Sequence, residues 1–301
     1  MYYRSLNEEL REKFGEKLYK LALDGGFTCP NRDGTIGSRG CTFCLGGSGS
    51  FAEGQCASVS EQIERAKRRV EKKNPSGKYI AYFQSYTNTY APVKRLEALF
   101  GEAIAHPDIA ALSVGTRPDC LPPEVLELLA RLNKIKPVWV ELGLQTIHEQ
   151  TAEKIRRGYD LSVFDKAVKD CKAAGLYTVV HMIIGLPGET PEMAAQTADY
   201  IGKSGADGIK LQLLHVLRGT DMAERYAAGE FEVMSMEEYI SALEECVRRL
   251  PPQMTIHRLT GDGDKKYLIA PLWSADKKRV LNAVNGAFRR DNVVQGEHYE
   301  V

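Results

Sequence analysis

No run of apolar residues in this 301-residue chain approaches the roughly 20 needed to cross a bilayer. The N-terminus, MYYRSLNEEL, places acids and polar groups where a secretory leader needs an apolar core, so a cytoplasmic protein with no membrane partner is expected. Neither sign of charge is in excess: 40 Lys and Arg balance 40 Asp and Glu, and no whole-molecule field draws the chain to nucleic acid or acidic lipid. Internal repeats, low-complexity tracts and Ser/Pro-rich linkers are missing too. Cysteine is sparse, at seven, in a chain long enough to bury a core without staples. An odd count in a large protein of the reducing cytosol argues against a disulfide framework and for metal or catalytic use of some thiols.

What is present is an alternation of short β-branched runs with amphipathic helical stretches. LALDGGF (Leu21 to Phe27), YIAYF (Tyr79 to Phe83), IAALSVG (Ile109 to Gly115), VWVELGL (Val138 to Leu144), YTVVHMIIG (Tyr177 to Gly185) and GIKLQLLHV (Gly208 to Val216) read as strands. Between them, Ser58 with Glu61 and Ser235 with Glu238 have capping-box spacing, and Thr190-Pro191 is an N-cap and first-turn pair. Pro92 and Pro122-Pro123 open two further helices, and Ser162 caps one that stops at Gly175. Six β-then-α units with near-continuous apolar strands predict a parallel sheet covered by helices, either doubly wound or a full or partial barrel. Both architectures place the active site at the carboxyl ends of the strands.

The stretch CPNRDGTIGSRGCTFC falls on that rim, just after the first strand. Cys41 and Cys44 have CxxC spacing, Cys29 stands upstream of Cys41 with eleven residues between them, and the intervening glycines 34, 37 and 40 let the loop fold back. Phe43 is placed to shield a centre from water. Cys56, with eleven residues between it and Cys44, leaves two readings: a closed four-thiolate zinc knuckle, or an iron–sulfur cluster held by three thiolates with one iron open.

FGEKLYKLALDGGFTCPNRDGTIGSRGCTFC, followed by GSGSFA, resembles the YhcC/YtqA-type branch of the radical S-adenosylmethionine (SAM) enzymes, whose relatives include the radical SAM domain of the Elongator catalytic subunit. The usual loop of these enzymes has three residues between its first two cysteines; eleven, as here, matches this branch. The resemblance implies a partial (β/α)6 TIM-like barrel over residues 21–220, after a helical lead-in at 1–20 and before a C-terminal extension at 221–301. Cys29, Cys41 and Cys44 would hold a [4Fe–4S] cluster and Cys56 would be no ligand. SAM would chelate the open iron and, on reduction by a donor such as flavodoxin or ferredoxin, yield a 5′-deoxyadenosyl radical.

Further residues take roles from the same resemblance. In ELGLQT, Gln145 stands twelve residues before Arg157, matching a Gln and Arg that contact SAM in the coproporphyrinogen-oxidising relatives. HMIIGLPGET matches the turn against the adenosine (Gly185, Leu186, Pro187), with His181 where those relatives carry Asp. Gln84, Ser85 and Thr87 occupy the place of the turn that binds the SAM amino group, and Tyr86, with Tyr82, Tyr90 and Asn88, forms a wall for substrate. Arg117 of GTRPD and His215 of LLHVLRGT face the rim. Each has a plainer alternative: a helix cap for Arg157, a surface ion pair for Arg117, a strand histidine for His181. Cys171 and Cys246 are expected as small core residues. Basic clusters at Lys67 to Lys73, Lys277 to Arg279 and Arg289-Arg290 are either solvated helix faces or a phosphate-tracking surface. The family resemblance implies tRNA as partner, with 5-carboxymethylaminomethyl-uridine trimmed to 5-aminomethyl-uridine at the wobble position. The alternatives are a zinc-stabilised RNA-binding protein, a radical SAM enzyme of a small molecule, and a metal-independent barrel enzyme.

Overall fold

A computed structural model describes residues 2–46, 58–74, 77–261 and 263–300. Cys56 and the GSGSFA segment lie outside them. After helix α1 (Leu6–Phe14), the chain alternates β1 (Tyr19–Leu23), α2 (Val59–Val70), β2 (Tyr79–Phe83), α3 (Val93–Ala105), β3 (Ile109–Thr116), α4 (Pro123–Asn133) and β4 (Val138–Gln145). It continues through α5 (Glu149–Lys154), α6 (Leu161–Ala173), β5 (Tyr177–Ile184), α7 (Pro191–Lys203) and β6 (Gly208–Leu213). Then come β7 (Val216–Leu217), α8 (Asp221–Ala227), α9 (Met236–Arg248), β8 (Thr255–Arg258), β9 (Leu268–Ala270) and α10 (Lys277–Arg290).

Seven strands form one parallel sheet in the order β1-β2-β3-β4-β5-β6-β8, while β7 and β9 pair antiparallel beside it. The sheet is curled. Lys210 on β6 reaches Tyr82 on β2 with Nζ 3.1 Å from the hydroxyl, whereas strands four places apart in a flat sheet stand about 19 Å away. The result is the half-barrel expected, with one strand more than the six anticipated. The C-terminal stretch supplies that strand: β8 lies parallel to β6, and Ile256 also bridges back to Ser5.

The helices form where the caps predict. Ser58 and Ser235 close full capping boxes with Glu61 and Glu238, and Thr190 caps α7 through Met193 N–H. Three boundaries differ. β1 covers Tyr19–Leu23 rather than Leu21–Phe27, because Asp24 accepts from Gly26 N–H in a turn and Gly26 takes φ +65°. The lead-in therefore ends before Tyr19. The N-cap of α6 is Asp160, with Ser162 inside the helix, and β6 ends at Leu213, short of Val216. Apolar faces of the helices pack on the outer face of the sheet, where Leu96, Phe100, Leu129, Phe164, Ala198 and Leu243 are buried. That core fixes the strand ends, and with them the loops above.

Candidate active site

The Cys29–Cys44 loop is a compact, internally bonded turn. Arg32 and Asp33 N–H donate to the Cys29 carbonyl, Gly40 N–H to the Asn31 carbonyl at 2.7 Å, and Cys44 N–H to the Cys41 carbonyl at 3.0 Å. Gly40 needs its freedom here, since φ is +73° and a Cβ would stand 2.6 Å from Arg32 Nε. Two outside elements clamp the loop: Thr42 N–H donates to the Ile155 carbonyl after α5, and Met222 N–H at the start of α8 donates to the Thr42 carbonyl. Arg156 bonds the Gly40 carbonyl through Nε at 3.0 Å and pairs with Asp221, which also binds Arg39 at 2.8 Å. Asn31 Nδ2 bonds the Arg156 carbonyl at 2.6 Å and lies 3.6 Å from Cys41 Sγ.

Above the strand ends the loop roofs a cavity of about 270 Å³, lined by Cys29, Cys41, Cys44 and Phe43 on one side. Gln84, Tyr86, Thr87, Arg117, Gln145, Arg157 and His181 line it too, as do Tyr82, Glu141 and Tyr159. The three thiols, both SAM-pair candidates and most of the post-β2 residues are thus brought together. Burial, reinforced by Cys44, pushes the Cys41 thiol up to about 11, so its thiolate needs a cationic centre to bind.

Of the four described non-glycine residues with positive φ, three border this site: Tyr86 (61°), Gln145 (71°) and Arg156 (57°). Strain of this kind persists where the surroundings impose it. At Gln145 it turns the side chain into the cavity region, where Oε1 is buried with no hydrogen-bond partner. An orphaned acceptor at this position fits a ligand carrying N–H or O–H donors. Arg157, 2% exposed, has a different set of partners from a free fork: it donates to the carbonyls of Thr146 and Tyr159 and to both oxygens of Glu149. Arg117 chelates Asp119 at 2.9 and 2.8 Å and bonds the Arg157 carbonyl.

Other expected residues fall outside the cavity lining. Ser85 is buried beside it. Gly185 makes a left-handed turn under Met234, Leu186 packs in the apolar cluster that Phe43 joins, and Pro187 follows. His215 does not reach the cavity; its ring is held between Gly261 and Gly263, where added Cβ atoms would stand 2.7 and 2.8 Å from it. Tyr90 bonds Thr35, and Asn88 bonds the Gly115 carbonyl, so the tyrosine wall reduces to Tyr82 and Tyr86. Cys171 and Cys246 are fully buried core residues, as expected. Lys67 is paired with Glu64 and Asp108.

The sequence reading missed the cavity floor. Glu141, 1% exposed, accepts from Lys20 at 2.5 Å, Ser113 at 2.6 Å, Tyr82 at 2.9 Å and His181 at 2.7 Å, and also from Lys210. Burial opposes its charge, but Lys20 and Lys210 outweigh burial and hold the carboxyl well below the usual range. A signal existed: YKLAL, VWVELGL and GIKLQLL each carry one charged residue inside an apolar strand, where an unpaired charge is not tolerated.

A parallel half-barrel with a three-thiol loop over a half-open cavity at its strand ends is the architecture of a cofactor-dependent barrel enzyme. The radical SAM superfamily profile matches residues 33–201, and that of the radical SAM C-terminal domain matches 206–290. The chain is 43% identical to YtqA of Bacillus subtilis over 299 residues, covering 99% of this chain and 93% of that protein. It is 40% identical to YhcC of Escherichia coli over 270 residues, 89% of this chain and 86% of that one. It is 30% identical over 156 residues to the tRNA uridine(34) acetyltransferase of Methanocaldococcus jannaschii, 50% of this chain and 28% of the relative. The solved structure of Methanocaldococcus infernus Elp3 superposes with a TM-score of 0.71 at 19% identity, covering 92% of this chain and 64% of that one. The chain belongs to the radical SAM superfamily, in the branch of YtqA and YhcC. Membership of this superfamily gives it a [4Fe–4S] cluster and SAM as cofactors. Among the described residues no helix is long and apolar enough to cross a membrane.

Proposed function

We propose that this enzyme modifies the wobble uridine of tRNA, converting 5-carboxymethylaminomethyl-uridine to 5-aminomethyl-uridine: a hydrogen atom is taken from the carboxymethyl carbon beside nitrogen, a second electron passes to a one-electron acceptor of the iron–sulfur or flavin class to leave an imine, and water releases the two carbons as glyoxylate. One observation carries the reading: three thiols and Gln145, strained and with its amide oxygen unpartnered, face one cavity that Tyr86 also lines. Cys29, Cys41 and Cys44 hold the cluster, and Gln145, Gln84 and Thr87 orient SAM. Reductive cleavage of SAM supplies a species that removes hydrogen from an unactivated carbon, which acid–base groups alone do not do. Tyr86, 38% exposed, offers a stacking face for an extruded base. The relative named as a tRNA uridine(34) acetyltransferase supports the choice of substrate position. A cytoplasmic one-electron donor of the flavodoxin or ferredoxin class completes the system.

The test is anaerobic incubation of reconstituted, reduced enzyme with SAM and tRNA bearing the carboxymethylaminomethyl group. The expected outcome is 5′-deoxyadenosine together with 5-aminomethyl-uridine in the nucleoside mass spectrum. Release of 5′-deoxyadenosine with unaltered tRNA would overturn the substrate while leaving the reaction class intact.

A further inference from the structure

Each of the first six strands sends one polar side chain into a single layer inside the half-barrel: Lys20, Tyr82, Ser113, Glu141, His181 and Lys210. Barrel interiors of this type are ordinarily filled by branched apolar residues. Glu141 is the hub: Lys20, Lys210 and two hydroxyls donate to it, and the lysines, Lys20 foremost, hold it as an ionised carboxylate even though burial also pushes Lys210 well below its ordinary 10.5. Glu141 has no proton to give. In its 2.7 Å contact with His181, Nε2 is therefore the donor. In a neutral imidazole the other nitrogen, Nδ1, is then a bare acceptor.

Neutrality follows from the surroundings. Burial, then the charge of Lys210, pushes the His181 imidazolium down to about 4. Nε2 is the ring nitrogen engaged by Glu141, which leaves Nδ1 for the cavity that His181 lines together with Gln145 and the cysteines. The register keeps the ring in place, since His181 pairs with Gly143 on one side and Lys210 on the other.

We infer that Glu141 is a positioning residue: by taking the Nε2 proton it presents His181 to the cavity as an acceptor through Nδ1, which selects a ligand hydroxyl and rejects a ligand acceptor at that point. An aspartate there would accept in any orientation, whereas a histidine accepts only if its tautomer is fixed. Glu141, with Lys20 and Lys210 securing its charge, does the fixing. The nucleoside hydroxyls of SAM are the donors of this class. The inference needs only that SAM occupies the cavity, so it stands or falls separately from the tRNA substrate.

Two measurements on oxidised, reconstituted holoprotein test it without turnover. Nitrogen-15 correlation spectra of labelled histidine, with His181 assigned through His181→Asn, should show Nδ1 as a pyridine-like acceptor and Nε2 protonated at neutral pH. Calorimetry should show S-adenosylhomocysteine binding about tenfold more tightly than its 2′-deoxy or its 3′-deoxy analogue, the size of one hydrogen bond. Glu141→Gln should redistribute the His181 proton and cut that preference to about twofold. If this variant does not fold, Glu141→Gln with Lys210→Met removes an anion and a cation together and is read in the same way. A wild-type His181 protonated at Nδ1, or at both nitrogens, overturns the inference. So does an unchanged ligand preference once the tautomer has moved.

Discussion

Gln145 has a backbone poorly suited to its residue type. With φ at 71°, an L side chain costs on the order of 1 kcal/mol relative to glycine. Gln145→Gly is expected to leave stability unchanged or raise it by about 1 kcal/mol, while S-adenosylhomocysteine affinity falls about tenfold with the lost acceptor. Urea unfolding and calorimetry on the same preparation separate the two effects. Undiminished affinity would mean that the amide does not touch the cofactor. The buried imidazoles give a second expectation. Burial lowers His181 to about 4 and places His257 well below its ordinary 6.5. Between pH 6.5 and 4 the unfolded chain binds protons that the folded one refuses, so stability falls as pH falls through that window. Loss of the Glu141 charge contributes only lower, because its carboxyl stays ionised to well below 4.5. The urea midpoint should drop from pH 7 to pH 5, and less steeply in His181→Asn and His257→Asn; a flat profile in wild type would contradict the neutral assignment. At this scale the thiols were legible, because CxxC spacing in a glycine-rich loop has few structural uses. Glu141 was not, since a lone acid in an apolar strand names no partner until the strands curl. His215 misled for the complementary reason: position after a strand does not say which way a ring turns.

Elements, rather than single contacts, hold the thiol loop in shape. The end of α5 and the start of α8 grip it through Thr42, and Arg156 with Asp221 ties the same two elements across it. Asp221 is about a quarter exposed, so breaking its pairs should change stability by no more than about 1 kcal/mol. The loop would nevertheless lose a brace beside Cys41. Asp221→Asn is therefore expected to lower the iron-to-protein ratio after reconstitution and to speed bleaching of the cluster absorbance in air, with little change in unfolding midpoint. Equal iron retention in variant and wild type would show that the clamp is dispensable. Element positions were the most readable part of the sequence, because capping pairs such as Ser58 with Glu61 and Thr190 with Pro191 state where a helix must begin. Asp160 was overlooked in favour of Ser162, which lies two residues on and has the same capping chemistry. β1 was placed too late because Asp24-Gly25-Gly26, read as strand, makes a turn.

Over the whole molecule, the half-barrel depends on a join between the two ends of the chain. β8 covers the edge that β6 would otherwise expose, and Ile256 N–H donates to the Arg4 carbonyl at 2.9 Å. Tyr2 and Tyr3 meet Phe288 of α10 edge-on, at 6.3 and 6.2 Å between ring centres. None of this was visible in TIHR, four residues behind two prolines with no period to mark them, which is why six strands were anticipated and seven are present. Gln295 is the pivot of the join. Its Oε1 accepts from Arg4 N–H at 2.7 Å, and its Nε2 donates to the Pro251 and Met254 carbonyls, both at 2.8 Å. Gln295→Ala leaves three backbone groups without their partner, at a site where Gln295 itself is 6% exposed. At about 1 kcal/mol or more for each, the loss is on the order of 3 kcal/mol. Because the join and the sheet share β8, that loss should appear as a shift of one cooperative urea transition. An early separate transition for the C-terminal region, with the rest melting at the wild-type midpoint, would show instead that β8 and α10 are an independent unit leaning on a self-sufficient six-stranded sheet.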